Sequence, residues 1–205
     1  MEKSKWNVDN IINEVSVDNV IFGLANGQLM VLLYQQAYQP YQGRWALPGG
    51  HIKYNENIDD AATRILYEFT GLENVYTEQL HAFGDVKRVQ DKRTITIVYY
   101  TLVNPEKYKL KSGADALIAQ WFNINEVPAL LFDHNQLITA ALEGLRKKAK
   151  YEPIGFELLS KKFTLNQLQE LYEAIYNIKF DKPNFRRKIL NMNLLTKLDE
   201  KQVNV

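Results

Sequence analysis

Asn26-Gly27 separates two runs rich in apolar and β-branched residues, Val17–Leu24 and Gln28–Gln35. An Asn-Gly pair supplies the positive backbone angles of a tight two-residue turn, so this spacing predicts an antiparallel hairpin. The hairpin commits the N-terminal part to a sheet, and the chain beyond it alternates between strand and helix patterns. A polar loop with Pro40, Gly43 and Pro48 leads to Gly49-Gly50. Asn57 can cap a helix that runs to about Thr70, with Asp59 and Asp60 in its first turn and Gly71 just past its end. Strands are predicted at about Glu78–Arg88, at Arg93–Val103 with Asp91-Lys92 in the turn, and at Ala119–Asn123. Asn104–Ala116 reads as a charged loop. Asp133 can open a helix to about Lys150, with Gln136 completing a capping box. Strands interleaved with two helices imply an α+β or α/β sandwich over residues 1–150.

Residues 151–205 have a different grammar. Thr164–Gln167 is a capping box, and Leu165, Leu168, Leu171, Tyr172 and Ile175 form a helical stripe behind it. Asn177–Phe180 breaks that helix. A second one opens near Asp181–Pro183, where a proline in the first turn removes no hydrogen bond. Leu194–Leu198 reads as a strand, Asp199-Glu200 as a turn and Gln202–Val205 as the start of a returning strand. Helix, turn, basic helix and hairpin is the order of a winged helix-turn-helix.

Charge divides the chain at the same place. Residues 1–144 carry 12 Lys+Arg against 17 Asp+Glu, and residues 145–205 carry 13 against 7. An acidic body with a basic end suits a protein whose second part meets a polyanion. The absence of cysteine excludes disulfides, thiolate zinc sites, iron–sulfur clusters and thiol nucleophiles. The three histidines stand too far apart for local metal spacing. No apolar run approaches the roughly 18 residues of a membrane helix, and the N-terminus is too polar for a signal peptide. A cytoplasmic location without membrane attachment is expected.

In the second basic helix, Phe185 and Ile189 are spaced to pack inward. Lys182, Asn184, Arg186, Arg187 and Lys188 are left to face outward. Lys182 and Asn184 lie at the end that enters the major groove in helix-turn-helix docking. Arginine pairs bidentately with guanine and asparagine with adenine, while other cations rest on phosphates. Double-stranded DNA is therefore the expected partner. A further cluster, Arg146, Lys147, Lys148 and Lys150, ends the preceding helix, where cations also favour the helix dipole.

The first part carries the more specific pattern. Gly50 is followed after five residues by Glu56, and after seven more by Arg64, Ile65, Leu66, Tyr67, Glu68, Phe69, Thr70, Gly71 and Leu72. This resembles the Nudix box, with its spacing kept over 23 positions. The lead-in Trp45–Gly50 is also similar to that of the Nudix family. The resemblance implies a Nudix α/β/α sandwich. An intact box places three carboxylates at i, i+3 and i+4, which hold the magnesium that activates water on a diphosphate. Here two of those positions are Ile65 and Phe69, an apolar pair, and Glu68 stands with only Glu56 on the preceding loop. No metal, cofactor or hydrolytic residue is expected, and Arg64 with Glu68 reads as a structural salt bridge.

A degenerate Nudix domain followed by a winged helix resembles the Nudix-related transcriptional regulators. The resemblance runs through Trp121-Phe122, Phe132–His134, Tyr151, Pro153, Phe156–Leu159, Phe163–Leu165 and Tyr172–Ile175 to Asn184–Lys188. It implies a homodimer that binds a palindromic operator, most simply as a repressor. It also implies that the Nudix domain senses a small molecule. Trp45, His51, Lys53, Asp85 and Arg88 lie on segments that would border its cleft. Branches of the family serve ADP-ribose and NAD metabolism, and others serve sugar catabolism. With the metal face gone, the reading leans to a neutral sugar such as L-arabinose, held by polar groups and an aromatic face. Lys53, Lys87 and Arg88 keep a phosphate-bearing ADP-ribose open as the alternative, and a Nudix pyrophosphatase acting on ADP-ribose is a second one.

Overall fold

The structure, a computed structural model, describes residues 14–73, 75–90, 92–105, 110, 116–152, 154–155, 158–159 and 162–198. Strands β1 (Glu14–Ala25) and β2 (Gln28–Gln36) form the expected hairpin, with Asn26 and Gly27 both at positive φ. Two short strands come next, β3 (Trp45–Ala46) and β4 (Gly49–His51), then helix α1 (Ile58–Thr70). Strands β5 (Glu78–Phe83), β6 (Thr94–Val103) and β7 (Ala116–Asn123) complete the sheet. Helices α2 (His134–Tyr151), α3 (Leu165–Tyr176) and α4 (Lys182–Asn191) close the described chain.

The sheet order is β3-β2-β1-β6-β5, with β4 added to β1 and β7 to β2. β1 and β6 run parallel from Glu14↔Thr94 to Gly23↔Val103, and the other pairs are antiparallel. A central parallel pair needs cover on both faces. β1 accordingly shows no polar alternation, being buried at every position from Ser16 to Gly23. Its Val17 side packs on Ala61, Ala62, Ile65 and Phe69 of α1. Its Val20 and Phe22 side packs on Leu137, Ile138, Ala141 and Leu145 of α2. The result is the α/β/α Nudix sandwich.

α3 and α4 join the same core. Leu168, Leu171, Tyr172, Ile175, Phe185 and Ile189 are buried in one apolar cluster with Val20, Leu29 and Leu33 of the sheet. α3 opens on the expected capping box: Thr164 Oγ1 accepts the Gln167 N–H, and Gln167 Oε1 accepts the Thr164 N–H. Among the described residues no helix is long and apolar enough to cross a membrane.

Four expectations need correction or lie outside the described residues. β5 ends at Phe83 and does not reach Arg88, because Asp85 turns the chain: its carboxylate accepts the Lys87 N–H at 2.7 Å. α2 forms no capping box, because the Asp133 carboxylate is bound to Arg88 instead. Leu194–Leu198 is not a strand: Asn193 takes a left-handed φ of 54° after α4, and no ladder partner stands beside the segment among the described residues. Asp91, most of the 104–116 loop, Pro153, Phe156, Glu157, Asp199-Glu200 and Gln202–Val205 lie outside those residues.

Gly49 is required by contact. A Cβ there would stand 2.1 Å from Asp18 Oδ1, a carboxylate buried on β1. Gly49→Ala is expected to cost about 1–3 kcal/mol by overpacking, read as a lower urea midpoint at unchanged m.

Candidate functional site

The Nudix box folds as its sequence directs, but its apolar substitutions are spent on the core. Ile65 is fully buried and Phe69 is 4% exposed, its ring 4.8 Å from that of Tyr34. β4 passes over Ile65 at Gly50, where a Cβ would meet the Ile65 side chain at an ordinary 3.6 Å. The two remaining acids are tied to one arginine. Arg64 donates through Nε and Nη2 to both oxygens of Glu56, at 2.9 and 2.7 Å. Its Nη1 reaches Glu68 at 3.2 Å, and Nη2 also donates to the His51 carbonyl. Glu56 accepts the Lys53 N–H at 2.7 Å. Arg64 first, then that backbone bond, pull the Glu56 carboxyl down to about 2. A magnesium ion asks for several free oxygens in octahedral array. These residues do not fit one, and among the described residues no cluster of three or more acidic or histidine side chains is placed to hold a metal.

A cleft of about 590 Å³ opens at the start of α2. The β2–β3 loop contributes Tyr41 and Arg44, the β5–β6 segment Asp85, Lys87, Arg88 and Gln90, and the approach to α2 contributes Leu130–Asp133. Its floor is a buried charge network. Arg88 Nε and Nη2 donate to the two Asp133 oxygens at 3.0 and 2.9 Å, and Nη2 stands 3.5 Å from Asp18 Oδ2. His134 accepts the Leu47 N–H on Nδ1 at 3.0 Å, and its Nε2 lies 3.9 Å from Asp18 Oδ1. Burial pushes the His134 pKa down, with Arg88 adding to the effect and Asp18 and Asp133 opposing it.

The rim differs from the floor. Arg44 and Lys87 are exposed and form no ion pair among the described residues. Phe132 is 39% exposed at a left-handed φ of 53°, edge-on to Tyr41 at 5.1 Å. A bulky aromatic rarely adopts that backbone, and such strain gathers at ligand sites.

Of the five residues expected from sequence to meet an effector, Asp85 and Arg88 line this cleft. Trp45, His51 and Lys53 lie outside its lining. Trp45 is half-buried, edge-on to Phe122 at 4.7 Å. His51 is exposed on β4 with Nε2 3.7 Å from Glu14. Lys53 is exposed on the loop before Glu56. No spacing rule in the sequence brings in Tyr41 or Arg44 from the loop. The unusual backbone at Phe132 has no sequence signal, because glycine usually marks such positions.

The basic helix presents its charges as its periodicity requires. Asp181 caps α4, its Oδ1 accepting the Asn184 N–H at 3.0 Å. Phe185 and Ile189 are buried, and Lys182, Asn184, Arg186, Arg187 and Lys188 are all exposed. Arg187 donates to Asn184 Oδ1 at 2.8 Å, and Arg186 to Asn166 Oδ1 at the start of α3 at 3.2 Å. The other basic cluster is partly internal. Arg146 donates to the Ile175 carbonyl at 2.8 Å, and Lys148 pairs with Glu78 and Glu152.

Residues 13–142 match the NUDIX domain family, and residues 155–205 match the NrtR DNA-binding winged helix domain. The chain is 31% identical over 193 residues to the ADPR responsive transcriptional repressor NtrR of Acinetobacter baylyi, covering 92% of this chain and 77% of that one. It resembles the crystal structure of Shewanella oneidensis NrtR complexed with a 27mer DNA at a TM-score of 0.81 and 32% identity. That match covers 93% of this chain and 88% of the other. It also resembles the NUDIX domain of that NrtR complexed with ADP ribose, at a TM-score of 0.60 and 31% identity over 69% of this chain and 94% of that one. A sandwich without a metal-binding carboxylate face, joined to a helix-turn-helix with a basic second helix, defines a Nudix-type regulator. The chain belongs to the NrtR family of Nudix-related transcriptional regulators.

Phe69→Glu, which restores the third carboxylate position, is expected to destabilise the fold by about 3 kcal/mol or more, because the charge enters a packed apolar site. Glu68→Gln on the exposed side should cost under about 1 kcal/mol. Urea unfolding separates the two. A second test concerns pH. Below the ordinary histidine value of 6.5 the unfolded chain takes up a proton that buried His134 refuses, so stability falls as pH falls. Unfolding free energy should fall as pH is lowered from about 7.5 to about 5.5, and His134→Gln should show a shallower fall.

Proposed function

We propose that this chain is a DNA-binding repressor whose affinity for its operator responds to ADP-ribose, which it binds without hydrolysing. The observation that carries the reading is the fate of the box. Ile65 and Phe69 are core, and Arg64 holds both Glu56 and Glu68, so the fold keeps a ligand cleft and gives up the donors that cleavage needs. Residues 1–150 form the sensing unit and residues 151–205 the DNA reader.

The rim of the cleft suits a nucleoside diphosphate better than a neutral sugar. Arg44 and Lys87 offer two exposed cations to a diphosphate, and Phe132 with Tyr41 offers an aromatic face to a base. The Acinetobacter repressor is ADPR-responsive and the Shewanella NUDIX domain holds ADP ribose, and nothing in either supports the lean toward L-arabinose or carbohydrate catabolism. Arg88 contributes from below, already balanced by Asp133, and Asp85 is placed to accept from ribose hydroxyls. On the reader, Lys182 and Asn184 enter the major groove, Arg186 and Arg187 reach bases or phosphates, and Lys188 rests on the backbone. A homodimer on a palindromic operator places two such helices one turn apart. Such a protein works in the cytoplasm, where the DNA is.

The test is a gel shift on a duplex of about 27 base pairs, enriched by the protein from a randomised pool. Specific binding with a steep salt dependence is expected, altered by ADP-ribose and not by L-arabinose. Arg186→Ala with Arg187→Ala should lower affinity about a hundredfold, and Arg44→Ala or Lys87→Ala should weaken ADP-ribose binding about tenfold in calorimetry. Magnesium-dependent release of AMP from ADP-ribose, or a shift indifferent to the double arginine change, would overturn the reading.

A further inference from the structure

One carboxylate in the second half of the chain is not absorbed by the sensing cleft or by the exposed face of α4. Glu173 lies on α3, is only 9% exposed, and interrupts the apolar stripe formed by Leu168, Leu171, Tyr172 and Ile175. A buried carboxylate in a helix face is costly unless it is paired and hydrogen-bonded. Glu173 is saturated. Its Oε1 accepts from Gln169 Nε2 at 2.8 Å and from the Phe180 N–H at 3.0 Å, and its Oε2 accepts from Lys179 Nζ at 2.6 Å. Those three donors, with Lys179 foremost, pull its carboxyl down to about 2.

The geometry around Phe180 shows what these bonds hold. Gln169 Nε2 also donates to the Phe180 carbonyl at 3.1 Å. The Gln169/Glu173 pair, one turn apart on α3, thus grips both backbone groups of a single residue in the turn. Phe180 immediately precedes Asp181, the cap of α4. Its ring stacks on Phe185 of α4 at 5.7 Å and meets Tyr176 of α3 edge-on at 6.0 Å. Tyr172 also meets Phe185 edge-on at 5.8 Å, and Arg186 reaches Asn166 at the far end of α3. Ring packing is less directional than a hydrogen bond, so the bonds to the Phe180 backbone add a fixed geometry where α4 begins.

We propose that Gln169 and Glu173 are positioning residues that clamp the Phe180 backbone and thereby set the angle at which α4 meets DNA. The proposal rests on the reading of α4 as the DNA-contacting helix. The clamp acts through Glu173 Oε1, and the Lys179 bond on Oε2 is dispensable, since Lys179 is largely exposed. This separates the clamp from a general need for charge or for folding. A glutamine at 173 keeps an Oε1 acceptor for both Gln169 and Phe180 and loses only Lys179. An alanine loses everything.

The experiment uses the full chain, the duplex enriched by the wild type and a scrambled duplex of the same composition, with affinities measured over a range of salt. Glu173→Ala is expected to lower the ratio of enriched to scrambled affinity by about tenfold or more. Its salt slope, its affinity for the scrambled duplex and its ADP-ribose affinity should stay at wild-type values, because the cations remain on the surface. Glu173→Gln should stay within about threefold of the wild-type ratio. Gln169→Ala, which removes only the grip on the Phe180 carbonyl, should lower the ratio by about threefold, and it carries the test if Glu173→Ala does not fold. The clamp is overturned if Glu173→Ala folds and keeps full discrimination, or if Glu173→Gln falls as far as alanine. It is also overturned if enriched and scrambled binding fall together, or if Gln169→Ala is indistinguishable from wild type. The DNA reading itself fails separately, and takes the clamp with it, if the wild type enriches no duplex or if Arg186→Ala with Arg187→Ala leaves binding intact.

Discussion

Asp18 lies on the central strand with its carboxylate out of water, and the sandwich is organised around making that tolerable. A buried charge needs a partner and further hydrogen bonds. Arg88 comes down to it from the turn after β5, and His134 approaches from the start of α2. Because Asp18 fills the space beside β4, the chain there has no room for a side chain, and position 49 must be glycine. Because Arg88 needs a second acid, Asp133 turns its carboxylate to the guanidinium and leaves α2 without a side-chain cap. One ion network thus joins β1, the β5–β6 segment and the start of α2. It also builds the floor of the cleft and leaves the rim cations with no acid of their own among the described residues.

The degenerate box is a second case of one interaction replacing another. In a helix with carboxylates at 65, 68 and 69, mutual repulsion would have to be relieved by a cation. Here two of those positions are apolar and the cation is Arg64, supplied by the chain itself. The arrangement pairs the remaining acids within the chain, and it retains the glycine, the helix and the loop of the motif. The spacing of the box therefore survives although two of its three carboxylate positions do not. Fold and catalysis make separate demands on the same 23 positions.

Local rules suffice where a single element decides its own structure. Asn26-Gly27 specifies the hairpin, Thr164–Gln167 the start of α3, and the Phe185/Ile189 spacing the buried face of α4. The apolar pair Ile65 and Phe69, legible as packing, is buried. Local rules fail where tertiary contacts override them. Asp133 and Gln136 have the spacing of a capping box, but a guanidinium 45 residues away in sequence outbids a backbone N–H. Leu194–Leu198 has the apolar content of a strand, yet pairing needs a neighbour. The cleft is legible only in part. Asp85 and Arg88 stand in it, but Tyr41, Arg44 and Phe132 reach it through loop paths that no periodicity encodes. Glu173 is hidden for a related reason: its partners include a backbone group, and sequence does not show where a turn will present one.

α2 relates the two halves of the molecule physically. Its first residues belong to the cleft, where Asp133 holds Arg88 and His134 is buried against Leu47. Three turns later the same helix holds α3, with Arg146 donating to the Ile175 carbonyl and the Tyr176 hydroxyl donating to the Arg146 carbonyl at 2.8 Å. The first of these bonds occupies a carbonyl that the end of α3 would otherwise leave open. The last turn of α3 is therefore fixed on one side by α2 and on the other by the turn that Glu173 clamps. α4 hangs from that turn with only a short apolar face of its own. Its exposed arginines therefore sit on a helix whose start is held by polar contacts from α3. Such contacts break singly, whereas the shared apolar core beneath them yields only as a whole.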